Sequence, residues 1–219
     1  MKNTLFCFSV LLASLFAPRA IAGEHTEKPA VSLTVSVFND ASVSPSVLSQ
    51  AQERALAIMR RSGVSLTWLD CGTPRNRIPN SGCSAIVYPK HVSVRVVPRS
   101  SPVRAHIFGQ SFQDAAGDGN YALVYFAGLA SSKAVTTVSM GELLGCVIAH
   151  ELGHLLLGND SHSTAGLMSA VWQDSELRQA ALGNLYFTRD QADRIHSRYF
   201  AATARLQKTS EPLQASAGH

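Results

Sequence analysis

Residues 140–168 read MGELLGCVIAHELGHLLLGNDSHSTAGLM, and the arrangement of the whole chain turns on that stretch. Leu143, Leu144, Val147, Ile148, Leu152, Leu155, Leu156 and Leu157 put apolar side chains on nearly every side of a helix over about 141–157. A helix that is apolar all round lies in the middle of a domain. Gly158 is its natural stop, because glycine enters the left-handed conformation that ends a helix. Polar side chains within such a helix need a purpose, since burying imidazoles and a carboxylate costs on the order of several kcal/mol.

Those polar residues are His150, Glu151 and His154, in the pattern HExxH. Positions four apart share a helical face, so both imidazoles reach one ion, and Glu151 stands beside the open coordination site. The arrangement suits one catalytic Zn2+: two neutral imidazoles and one further ligand leave the fourth tetrahedral position for water, whose pKa zinc lowers towards about 7. Glu151 is then placed to take the water proton and pass it to a leaving amine. A closed structural site favours four side-chain ligands and cysteine.

Upstream, Val31, Leu33, Val35 and Val37 alternate with Ser32, Thr34 and Ser36, the period of a half-buried strand. Ser44 reads as an N-cap before Pro45, and Leu48, Ala51, Ala55, Ile58 and Met59 recur at helical spacing up to Gly63. Strands follow at 64–69 and at His91–Val97, and a Gly117-Asp118-Gly119-Asn120 turn leads to a fourth at 121–126. Downstream, 174–182 reads as a short helix, and Thr188 with Gln191 forms a capping box opening a last helix to about Leu206. The expected fold is α/β (α+β): a single domain with a mixed twisted sheet of four or five strands, a backing helix, the central zinc-binding helix and a C-terminal helix.

The 219 residues are 46% hydrophobic and 16% charged, enough for one core and inconsistent with general disorder. Lys and Arg number 19 against 15 acidic residues; with Lys2 and Arg19 in the first 22 residues, the remainder carries 17 − 15 = +2. That excess is too small to indicate nucleic acid or an acidic membrane as partner. Lys2, the apolar run 5–16 and Ala20-Ile21-Ala22 before Gly23 form an export-signal pattern. The apolar run falls short of the roughly 20 residues that span a bilayer, and no membrane span is expected. The expected organisation is a signal peptide over 1–22 cleaved between Ala22 and Gly23, a catalytic domain over 23–206 and a polar tail over 207–219, giving a secreted or periplasmic monomer. Cys7 leaves with the signal. Cys71 and Cys83, bracketing a loop rich in Gly and Pro, are expected to form a disulfide, and Cys146 to be a buried free thiol.

His150-Glu151-Leu152-Gly153-His154, followed by Gly158, His162-Ser163 and Gly166-Leu167-Met168, resembles the metzincin metalloendopeptidases, and among them the matrix metalloproteinase type. A looser likeness runs upstream through Ala105-His106-Ile107-Phe108 and Gly117-Asp118-Gly119. The resemblance implies a zinc-dependent endopeptidase with ligands His150, His154 and His162, a general base at Glu151 and a Met-turn at Met168 forming the floor of the site. Its substrate would be an extended peptide or protein lying along an edge strand, for which 121–126 is the candidate.

The chain departs from that pattern. Gly158 comes one residue late and His162 two, and Ala170 stands where the family carries a tyrosine, leaving the oxyanion donor unassigned. Asp160, at the tenth position after His150, is where snapalysin-like metzincins place an aspartate ligand, and Asp174 or Glu176 would serve in a thermolysin-like arrangement. Cys71-Gly72-Thr73-Pro74 also resembles a cysteine-switch segment, with Cys83 the competing partner for its thiol. Calcium or a second zinc near Asp114, Asp118 and Asn120, with His91 and His106 close by in sequence, is a further family analogy; the competing reading is a polar surface turn. His25, His196 and His219 read as solvated, and Trp172 as core or as a wall of the site. The alternative from another class is a non-catalytic zinc-binding or interaction protein on the same fold, for which Glu151 would have no use.

Overall fold

The computed structural model describes residues 30–73, 76, 81–101 and 107–210. The export signal with its Ala22/Gly23 junction, His25, His106, His219 and residues 211–219 lie outside the described residues.

The fold is a single mixed α/β domain. Strands β1 (Val31–Asn39), β2 (Val64–Asp70), β3 (His91–Val97), β4 (Gly109–Phe112) and β5 (Tyr121–Tyr125) form one sheet in the order β2-β1-β3-β5-β4. The first three pairings are parallel, and β4 runs antiparallel to β5 with Ser111 opposite Ala122. The alternation in β1 sends Val31, Leu33, Val35 and Val37 into the core, where Val92, Val94, Val96, Ala122 and Val124 join them. Helices α1 (Pro45–Arg61) and α3 (Met140–Leu157) pack against each other in that core. Short α2 (Phe126–Ala130), α4 (Asp174–Ala181) and the long α5 (Arg189–Ser210) complete the domain.

Helix α3 is capped by the Ser139 hydroxyl, which accepts from the Glu142 backbone N–H at 3.4 Å, and it stops at Gly158 with φ +78°. Among the described residues it is the one helix long and apolar enough to cross a membrane, and 83% of it is buried inside the domain, as befits a core helix. Arg54 of α1, itself buried, pairs with Glu142 of α3 at 2.5 Å and donates to the carbonyls of Gly183 and Leu185, each at 2.9 Å. It thereby ties both core helices to the segment after α4.

Three expectations need correction. The segment 121–126 is an interior strand, flanked by β3 and β4, and Phe126 already opens α2; the edge beside α3 is β4, which the sequence reading lacks. Helix α5 continues past Leu206 to Ser210, its last turn held by Thr209 bonding back to Leu206 O at 2.9 Å. His196 is half-buried, donating through Nε2 to Ser62 O at 3.0 Å. Cys71 and Cys83 form a disulfide, which also occupies the thiol of the switch-like segment, and Cys146 is free and buried, with its thiol pushed up to about 11 by burial.

Candidate metal centre and active site

A cavity of about 1100 Å3 opens between β4, the middle of α3 and the loop after Gly158, and Ile107, Phe108, Val147 and Trp172 contribute its apolar walls. Within it, His150, His154 and His162 bring one potential ligand atom each to within 4.8 Å of one another; among the described residues this is the one such group. Helical spacing stacks His150 and His154 on one face of α3. The left-handed turn at Gly158 and a second positive φ at Asp160 (+54°) bring the chain back so that the His162 ring lies 4.6 Å from that of His154. His150 lies deepest, His154 is half-buried and His162 is exposed.

Both helical imidazoles are oriented through Nδ1. His150 donates to Leu167 O at 2.7 Å, and His154 shares a 2.6 Å hydrogen bond with the buried Ser161 hydroxyl. Their Nε2 atoms then face each other at 3.0 Å. The His150 Nε2 then carries a lone pair, and His154 Nε2 either donates to it, with Nδ1 accepting from Ser161, or presents a second lone pair to a shared cation, with Nδ1 donating to Ser161. Neutral imidazoles oriented by carbonyl or hydroxyl partners are the donor set that zinc takes, so the residues present fit that ion. Protonation is no alternative source of charge: burial lowers His150 to about 4 and His154 to about 3, and it lowers His162 as well.

Glu151 points from α3 towards the edge strand. Ser111 of β4 donates to its Oε2 at 2.7 Å and lies 2.9 Å from its backbone carbonyl. Burial raises the carboxyl to about 8, with the Ser111 hydrogen bond opposing. Gly109 makes room for it, because a Cβ there would stand 2.2 Å from Glu151 Oε1. Beneath the imidazoles, Met168 is fully buried and its Sδ packs under α3 at Gly153, where a Cβ would meet it at 2.6 Å. Leu167 O accepts from both His150 and the Trp172 indole N–H, the latter at 3.1 Å, so Trp172 is wall and brace at once.

The remaining candidates fall elsewhere. Asp160 lines the cavity but is outside the ligand group. Glu176 is spent on the cap of α4, where Oε2 accepts from Gln173 N at 3.0 Å and Ser175 Oγ at 2.8 Å, and Asp174 sits beside it in the first turn. His91 is buried against Ser36 at 2.8 Å. Asp114 closes its own turn by accepting from Ala116 N and Asp118 N, and Asp118 pairs with Arg198 and Arg205 at 3.1 and 2.6 Å, so this acidic turn braces α5. Ala170 lines the cavity wall and has no side-chain donor to offer there. Gly109, Ser111 and Ser161 were not singled out in the sequence; only the position of Ser161 beside His162 offered a hint.

No known protein-family profile and no curated protein matches this chain. Among solved structures similar to it in fold, a zinc-dependent peptidase from Methanocorpusculum labreanum is 14% identical with a TM-score of 0.48, over 74% of this chain and 99% of its own. The archaemetzincin of Methanopyrus kandleri is 15% identical, TM-score 0.47, over 76% and 94%. Metalloproteinase-II of Bacteroides fragilis is 13% identical, TM-score 0.47, over 79% and 55%.

Proposed function

We propose that this chain is an exported zinc-dependent endopeptidase of metzincin type, in which His150, His154 and His162 hold the metal and Glu151 is the general base. The observation that carries the reading is the pair of inward-facing Nε2 atoms, 3.0 Å apart with their Nδ1 atoms engaged, closed by a third imidazole and flanked by a buried carboxylate. Zinc bound there supplies Lewis acidity, polarising a peptide carbonyl and acidifying water towards about 7.

The chain's own residues do the rest. An extended peptide lies along β4, whose outer edge beside the cavity has no strand paired to it among the described residues, and main-chain hydrogen bonds to that edge hold it in register. Glu151 takes the proton of the attacking water on its carboxylate and delivers it to the departing amine nitrogen. Ser111 keeps the carboxylate turned towards the cleft, and Leu167 and Ser161 keep the imidazoles from rotating. Met168 presents an apolar floor that excludes water from beneath them.

The test is metal analysis of the purified chain together with hydrolysis of casein or a quenched peptide by the wild type and Glu151→Gln. The reading expects one zinc per chain in both proteins and at least about a 100-fold loss of turnover in the variant. Zinc retention without cleavage by the wild type would select the non-catalytic binding protein instead, and equal activity in both proteins would remove the mechanism. His162→Ala should weaken zinc binding strongly; retained affinity there, with loss in Asp160→Ala, would reassign the third ligand.

A further inference from the structure

The two helical imidazoles have Nδ1 partners of different kinds. A neutral imidazole carries a single ring hydrogen, on one nitrogen or the other. The Nδ1 of His150 lies 2.7 Å from Leu167 O, and a carbonyl only accepts, so that ring's hydrogen is fixed on Nδ1 and its Nε2 keeps a lone pair. The Nδ1 of His154 lies 2.6 Å from the Ser161 hydroxyl, which serves as donor or as acceptor. Among the described residues that hydroxyl has no other hydrogen-bond partner.

We infer that Ser161 is the positioning residue through which His154 changes tautomer when zinc is bound. The inference rests on the zinc site proposed above and adds to it how the site is held before and after loading. In the metal-free protein, a hydrogen on His154 Nε2 is donated across 3.0 Å to the His150 Nε2 lone pair, and Ser161 donates to His154 Nδ1. The two rings are then joined by a hydrogen bond of their own.

To ligate zinc, His154 must present its Nε2 lone pair. It gives up the Nε2 hydrogen to water and takes one on Nδ1 in exchange, so the ring stays neutral throughout. Ser161 turns from donor to acceptor. Because Ser161 is buried at the cavity wall, its own hydrogen swings towards the cavity as it does so. A carbonyl at this place would hold His154 in one tautomer, as Leu167 O holds His150.

The test is long-range proton–nitrogen NMR of the isotope-labelled chain, metal-free and zinc-loaded, which separates protonated from unprotonated ring nitrogens. His154 is assigned from the signals missing in His154→Asn. His150 should carry its hydrogen on Nδ1 in both forms, whereas that of His154 should move from Nε2 to Nδ1 as zinc is added. In chelator competition, Ser161→Ala should bind zinc about 10-fold or more weakly, the scale on which partners of metal-ligating histidines act. A hydrogen mainly on Nδ1 of His154 in the metal-free wild type overturns the inference and makes Ser161 a fixed acceptor. Unchanged zinc affinity in Ser161→Ala overturns it as well, and both results leave the zinc site standing. The wild-type spectra decide the matter even where Ser161→Ala does not fold. A wild type that binds no zinc defeats the site itself.

Discussion

Glu151 has two neighbours on β4 that no sequence pattern announces, and they make the base sensitive to changes of a single atom. Gly109→Ala would drive a methyl to 2.2 Å from Oε1, so the carboxylate must swing away or the strand must retreat. The expected outcome is a loss of at least about tenfold in kcat/KM with zinc content retained, at a stability cost of about 1–3 kcal/mol; both are read on the same purified protein. The metal-free protein should also have a characteristic pH profile. His150 and His154, lowered from 6.5 to about 4 and about 3 by burial, stay neutral in the fold while the unfolded chain takes up protons, so stability falls as pH drops below 6.5. Glu151, raised from 4.5 to about 8, keeps its proton in the fold while the unfolded chain releases it, so stability falls as pH rises towards 8. Chelated wild type should therefore have its highest Tm near pH 6.5. Glu151→Gln should lack the decline on the alkaline side; if both proteins decline alike between pH 6.5 and 8, Glu151 is not the buried acid responsible.

At the level of elements, legibility followed how much each segment owes to its own side chains. The alternation of β1 and the unbroken apolarity of α3 are intrinsic, and both elements lie where the pattern places them. The Thr188 and Gln191 box is equally local, with reciprocal bonds of 3.2 and 2.9 Å. Strand β4 is the opposite case. Gly109-Gln110-Ser111-Phe112 has one apolar residue and lies half-exposed, and it is a strand because β5 supplies its partners. Missing it also misplaced the edge, since 121–126 loses its free side once β4 exists. In the site, the HExxH residues were legible because chemistry needs them four apart on a buried helix, whereas Ser161 and the Leu167 carbonyl come from the return of the chain after Gly158. The clamp at Arg54 likewise joins residues more than a hundred positions apart. Arg54→Ala should lower unfolding stability by about 2–3 kcal/mol, because it strands Glu142 and two carbonyls; urea titration measures it, and a change under 0.5 kcal/mol would contradict the clamp.

Across the whole molecule, the Cys71–Cys83 bridge and the buried Cys146 set a thiol count. Under denaturing, non-reducing conditions a chain beginning at Gly23 should titrate one thiol and the full 219-residue chain two, Cys7 being the second; an excess of two in either would mean that the bridge is absent. The site, too, is a property of the assembled domain. Sheet edge, core helix and return loop each carry part of it, so occupancy of the histidines should raise Tm by mass action, and chelation should lower it. The carbonyl of Leu167 extends that coupling to light emission. It receives the Trp172 indole and the deepest imidazole together, so a cation arriving on the far nitrogen of that ring changes the field around the indole. The chain holds two tryptophans, and with Trp68 replaced by Phe the remaining emission should shift as zinc is added, giving the protein an optical gauge of its own loading that needs no attached dye.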